Sequence, residues 1–248
     1  MPHLTSADGT AIAYSRHGDG PAVVLVGGGL DDGAENAPLA EELAARFTVF
    51  NYARRGRGES GDTPPYAVER EFDDLAALIE LAGGTAHVYG VSSGGALALE
   101  AAAAGVAIDR LAVYEVPYGM GEGWPEYVSS LRRLLADDRR GDALELFMRL
   151  AGSSEEAIAG ARASSLWPGL ERLAHTLAYD AACLGDGEAM PSVTQPVLVA
   201  TGGGGAFFEA AGDALAASLP DAERVVLGGQ SHVADPKAVA PVLERFFR

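Results

Sequence analysis

The stretch Val88–Ala103, "VYGVSSGGALALEAAA", decides the fold. An apolar run that suits a strand over Ala86–Val91 meets two adjacent serines. Glycines surround the serines, and an Ala/Leu-rich segment then predicts a helix over Gly94–Ala104. Gly90-Val91-Ser92-Ser93-Gly94 fits G-x-S-x-G, and only Ser92 lies in register. Placed after a strand and before a helix, the pattern predicts a tight turn with Ser92 as a nucleophile. The free N–H groups of the helix end then favour a developing oxyanion.

The same rhythm runs outward along the chain. Short buried-strand runs are Ala22–Val26, Phe47–Tyr52, Arg110–Val116, Pro196–Thr201 and Glu223–Gly228. Helix-like stretches lie between most of them: Ala37–Arg46, Val68–Ala82, Glu209–Ser218 and Pro236–Phe247. Alternation of this kind predicts an α/β fold with a mostly parallel, doubly wound sheet. Two short strands around Asp8-Gly9 add an antiparallel edge. Pro117–Pro191 holds no strand candidate and carries amphipathic helix patterns instead, such as "EYVSSLRRLLADD", "DALELFMRLAG" and "LERLAHTLAYDAACL". Residues 117–191 are therefore expected to form an inserted helical cap on a core of residues 1–116 and 192–248.

Composition narrows the function classes. The chain has 248 residues, 48% of them hydrophobic, enough to bury a substantial core. A net charge of −17 repels phosphate backbones and anionic headgroups, so neither nucleic acid nor membrane is the expected partner. No apolar run reaches the ~18 residues of a membrane span, and the start lacks a secretory pattern. The expected location is cytoplasmic. A single cysteine, Cys183, rules out an intrachain disulfide and is expected as a buried filler. The only lysine is Lys237, which removes the P-loop and Ser-x-x-Lys patterns. "GRGESG" (Gly56–Gly61) matches G-x-G-x-x-G, but Asp62-Thr63-Pro64-Pro65 stops a helix there, so no dinucleotide is expected. Arg54, Arg55 and Arg57 should instead pin this turn to neighbouring carboxylates. The five histidines are scattered, so no metal and no cofactor is expected.

The chain resembles the α/β-hydrolase superfamily. The likeness rests on "VVLVGGGLD" (Val23–Asp31), the "RRGRGESG" turn (Arg54–Gly61), the serine elbow and the late "GQSH" (Gly229–His232). It covers nearly the whole chain, least of all the helical block. The resemblance implies an oxyanion hole made by the amide of Ser93 and one from the early loop, Gly29 or its neighbour Gly28. It assigns the general base to His232, which follows the last strand. His3 and His17 lie on edge strands, and His87 lies at the far end of its strand. Many relatives keep an acid after the strand equivalent to "PVLVAT". Here glycine stands there, around Gly204 or Gly205, with Glu209 and Asp213 nearby. Other relatives carry the acid one strand earlier, and there this chain has Glu115. An acid at an apolar strand end needs a partner, so Glu115 is expected to orient His232, with no acid at all or Glu209 as the alternatives.

The expected activity is a serine hydrolase with a Ser-His-Glu triad. It would cleave a small to medium apolar ester, lactone or thioester through an acyl-enzyme. Two other readings stay open: a lyase or cofactor-free cyclase on the same scaffold, and a catalytically silent binding protein. The expected partner is a small-molecule substrate, with self-association to a homo-oligomer left open. Tyr118, Trp124, Trp167, His175 and Phe207 are candidate pocket residues. Pro117–Gly123 and Gly202–Gly205 are candidate gates.

Overall fold

The computed structural model describes residues 1–188 and 190–248. Among these, eight strands form one sheet: β1 His3–Thr5, β2 Ala11–His17, β3 Ala22–Val26, β4 Thr48–Tyr52, β5 Ala86–Val91, β6 Ile108–Tyr114, β7 Val197–Thr201 and β8 Ala222–Val226. Their order is β1-β2-β4-β3-β5-β6-β7-β8. The β1–β2 and β2–β4 pairs are antiparallel, and the other pairs are parallel. The chain leaves β3 toward β4 on one side and returns to β5 on the other. That reversal is a topological switch point, where the loops after β3 and β5 lie side by side at the strands' C-terminal ends. The Gly27–Leu30 loop and Ser92 both lie there.

Ten α-helices accompany the sheet among the described residues. They are α1 Ala37–Leu43, α2 Val68–Leu81, α3 Ser93–Ala103, α4 Trp124–Ala136, α5 Arg140–Leu150, α6 Glu155–Arg162, α7 Trp167–Leu173, α8 Leu177–Cys183, α9 Ala206–Ser218 and α10 Pro236–Phe246. Side chains alternate along each strand, and this splits the core in two. Val24, Val26, Val88, Leu111 and Val113 face α2, α3 and the inserted helices. Val23, Leu25, Tyr89, Ala112 and Tyr114 face α1 and α10. Leu131, Ala143, Leu144 and Leu177, from the inserted helices, belong to the same buried cluster as the sheet residues of the first face.

Local chemistry explains where the elements depart from expectation. Strand β6 stops at Tyr114, not Val116, because Glu115 takes φ 49 and turns the chain. Helix α9 begins at Ala206, three positions before Glu209, which puts Phe207 and Phe208 in its first turn. The "LERLAHTLAYDAACL" pattern is divided by a 3₁₀ turn at Ala174–Thr176 into α7 and α8. There Thr176 Oγ1 donates to the Leu173 carbonyl at 2.8 Å, and His175 Nδ1 lies 3.0 Å from the Arg172 carbonyl. Such back-bonding competes with the regular helical ladder. A register shift between Ala86 and Val88 brings Val91 level with Tyr114, so β5 and β6 end side by side.

Candidate active site

Ser92 sits between β5 and α3 at φ 54, ψ −126, a backbone region that L-residues seldom occupy. The turn fits only because its neighbours lack side chains. A Cβ on Gly90 would lie 2.6 Å from the Gly94 carbonyl oxygen, and one on Gly94 would collide with that of Gly27. The Ser92 amide donates to the Tyr114 carbonyl at 2.9 Å, which ties the elbow to the end of β6. Gly28 faces the serine: a Cβ there would be 3.2 Å from Ser92 Cβ. The N–H groups of Gly28 and Gly29 find no acceptor among the described residues.

Glu115, the next residue after β6, is 4% exposed. Its Oε2 lies 2.7 Å from His232 Nδ1, and its Oε1 accepts the Gly202 amide at 3.0 Å. A carboxylate accepts here, so the hydrogen of this contact sits on Nδ1. Two further contacts fix the histidine loop. Tyr114 Oη donates to the Ser231 carbonyl at 2.7 Å, and the Phe208 ring stacks on the imidazole at 4.8 Å. Glu209 is engaged elsewhere: its carboxylate accepts from the Gly203 amide at 3.0 Å and from Arg224 Nη2 at 2.8 Å. The Thr201 hydroxyl and Arg224 beside it hold its carboxyl below the usual range. No hydrogen bond joins Ser92 Oγ to His232 among the described residues.

On the other flank of the elbow lies a buried charge cluster. Arg54 makes a fork with Glu71, both bonds at 2.7 Å, and reaches Asp180 of α8 at 2.9 Å. Arg57 reaches the same Asp180 oxygen at 2.6 Å and also donates to the Gly28 carbonyl. Ser93 Oγ donates to that oxygen too, at 2.7 Å. Arg55 pairs with Asp74 and Asp8. Burial drives the Asp180 and Glu71 carboxyls upward, but the adjacent guanidiniums outweigh it and hold both below their usual range. Cys183 lies 3.2 Å from Arg54 Nη2, and burial pushes its thiol up to about 12, so little of it is the reactive thiolate.

The five aromatic and histidine candidates for the pocket are scattered. Tyr118 is buried in the core cluster. Trp124 stacks on Tyr127 at 5.3 Å and donates to the Gly185 carbonyl at 3.1 Å. Trp167 packs within the inserted helices, against Gly141 and under the Arg162 guanidinium. His175 sits over Gly56, with Asp62 at 3.7 Å. Phe207 is 43% exposed and touches Phe208 edge-on. It is Phe208 that meets His232, and Phe147 that approaches Gly29. Asp180 and Phe147 read in the sequence as ordinary members of amphipathic helices, and no local pattern marks them. Among the described residues no three His, Cys, Asp or Glu side chains gather as a metal ion requires, and no helix is long and apolar enough to cross a membrane.

Comparison with known proteins places the chain. A model of the alpha/beta hydrolase family matches residues 22–242. The crystal structure of an alpha/beta hydrolase from Sphaerobacter thermophilus DSM 20745 superposes with a TM-score of 0.90 at 48% identity, covering 100% of both chains. A pimeloyl-[acyl-carrier protein] methyl ester esterase of Xanthomonas campestris pv. campestris (strain B100) is 31% identical over 255 residues, covering 92% of this chain and 96% of that one. A shorter match, 35% identical over 96 residues, covers 37% of this chain and 35% of an uncharacterised hydrolase of Bacillus subtilis (strain 168). The mostly parallel sheet and its flanking helices agree with these matches: the chain belongs to the alpha/beta hydrolase family.

Proposed function

We propose that this chain is a serine hydrolase that cleaves a small to medium apolar ester, lactone or thioester through an acyl-enzyme. The observation that carries the reading is the 2.7 Å contact between His232 Nδ1 and a buried Glu115, next to a serine held at positive φ. Ser92 Oγ attacks the carbonyl carbon as His232 Nε2 takes its proton. Glu115 stabilises the imidazolium so formed. The Ser93 and Gly29 amides receive the oxyanion. His232 then protonates the leaving group, and water, deprotonated by the same nitrogen, clears the acyl group from Ser92. The helices between β6 and β7 act as a cap over the strands' C-terminal ends. The esterase named among the relatives supports carbonyl-ester chemistry. The glycines at Gly204 and Gly205 argued for a silent binding protein. Glu115 at hydrogen-bond distance from His232 favours an enzyme instead, because a carboxylate is supplied from another strand.

A fluorophosphonate probe tests this directly. It is expected to label the native protein at Ser92, Ser92→Ala is expected to abolish labelling, and p-nitrophenyl butyrate is expected to be hydrolysed. A native protein that stays unlabelled overturns the proposal. Labelling without ester hydrolysis favours the lyase or cyclase reading.

A further inference from the structure

One oxygen of Asp180 gathers three donors: Arg54 Nη1 at 2.9 Å, Arg57 Nη2 at 2.6 Å and Ser93 Oγ at 2.7 Å. Each donor also touches the place where the oxyanion is proposed to form. Arg57 donates to the Gly28 carbonyl, and Arg54 Nη1 lies 3.4 Å from the Gly27 carbonyl and 3.4 Å from Ser93 Oγ. Ser93 itself carries the first proposed oxyanion amide. A trans peptide is planar, with its C=O and N–H pointing opposite ways. Pinning the Gly28 carbonyl on Arg57 therefore sets the direction of the Gly29 N–H, and pinning the Gly27 carbonyl does the same for Gly28. Both N–H groups are left without an acceptor on the far side. Glycines have no side chain to hold such a loop, so the anchoring must come from the carbonyls.

We infer that Asp180 is a positioning residue for the oxyanion hole: a carboxylate from α8 that holds the Gly27–Gly29 carbonyls, through Arg57 and Arg54, and the elbow amide, through Ser93 Oγ. The Asp180 side chain is 9% exposed, and the two guanidiniums are at most 1% exposed. Without Asp180, Glu71 alone remains to neutralise Arg54 and Arg57 at this end of the cluster. The guanidiniums then lose the anchor that aims them at the carbonyls, and the Gly28 oxygen keeps only the long 3.4 Å bond from the Asp31 amide. The inserted helices thereby contribute to transition-state stabilisation without touching substrate.

The inference rests on the Ser92 reading, and the experiment separates the two. Native protein, Asp180→Asn and Ser93→Ala are assayed with p-nitrophenyl butyrate, with rates expressed per site titrated by fluorophosphonate. Inhibition by a trifluoromethyl ketone of matching chain length is measured alongside, because its serine adduct carries an oxyanion. In both variants kcat per site is expected to fall about 10- to 100-fold with KM nearly unchanged, as for lost transition-state contacts. The ketone's inhibition constant is expected to rise by the same factor as kcat/KM falls. A purely structural role lowers the titrated fraction and leaves kcat per site intact, which overturns the inference. A raised KM at constant kcat also overturns it, by showing that Asp180 binds substrate. If Asp180→Asn fails to fold, Ser93→Ala carries the decision alone. A native protein that is never labelled overturns the Ser92 reading and this inference together. Labelling with fully active variants overturns only the inference.

Discussion

Glu115 and Asp180 are two buried carboxylates that meet the elbow from different parts of the chain. Glu115 directly follows a strand and faces a histidine that is 43% exposed. Asp180 comes from an inserted helix and faces two arginines buried to 1% or less. A carboxylate beside histidine can assist proton transfer by stabilising the imidazolium, because an imidazole can gain and lose a proton. A carboxylate beside arginine cannot, because that partner stays charged throughout. The first arrangement suits chemistry and the second suits holding a shape.

That contrast can be broken in several places. The largest effect is expected at the serine: Ser92→Ala should lower kcat/KM by about five orders of magnitude in an ester-hydrolysis assay while leaving the melting temperature close to native. Glu115→Gln should cost about 10^3- to 10^4-fold in kcat, because the amide no longer holds the imidazolium. Glu209→Gln should keep near-native turnover. The reverse pair of results would move the acid to Glu209. The arginine side should show the opposite balance, in stability. Arg54→Met removes the guanidinium fork from Glu71, leaves Asp180 to Arg57 alone, and should cost about 3–5 kcal/mol in urea unfolding.

Acid should act through the same cluster. The folded-state values of Glu71 and Asp180 lie below their ordinary 4.5 and 3.8. Their contribution is fully present above those ordinary values and is lost as pH falls through the depressed ones. The urea midpoint attributable to them should therefore hold level down to about pH 5 and then decline, and Glu71→Gln should flatten that decline. The smallest effect separates two neighbours on α9. Phe208→Ala, which removes the ring stacked on His232, should lower kcat several-fold, whereas Phe207→Ala should change it less than about twofold.

Much of the sheet is legible because its signals are local. β3 and β5 fall on the expected residues, since a short apolar run bounded by glycines has few other places to go. The G-x-S-x-G register singles out Ser92 over Ser93 within five residues, and the turn between β5 and α3 falls there. Glu115 stands out because a charge at an apolar strand end demands a partner, and His232 lies 117 positions away at 2.7 Å. Asp180 gives no such warning. An acid in "HTLAYDAACL" looks like any solvent-facing helix residue, and its partner Arg54 is 126 positions distant. The pocket aromatics were ambiguous for a related reason. Ring chemistry is the same whether a tryptophan lines a cleft or fills a helix interface, so Trp167 could be placed only by its neighbours. Phe207 and Phe208 differ by one step of helical phase, and that phase depends on where α9 starts.

Four non-glycine residues adopt positive φ among the described residues, and three of them, Leu30, Ser92 and Glu115, surround the elbow. Each such conformation costs about 1–3 kcal/mol, against a total stability of about 5–15 kcal/mol. Under the proposed mechanism, relieving that strain at Ser92 or Glu115 should therefore raise heat resistance at the cost of activity. A library of variants sorted only for surviving high temperature should enrich glycine or asparagine there, and the hardiest survivors should be poor catalysts.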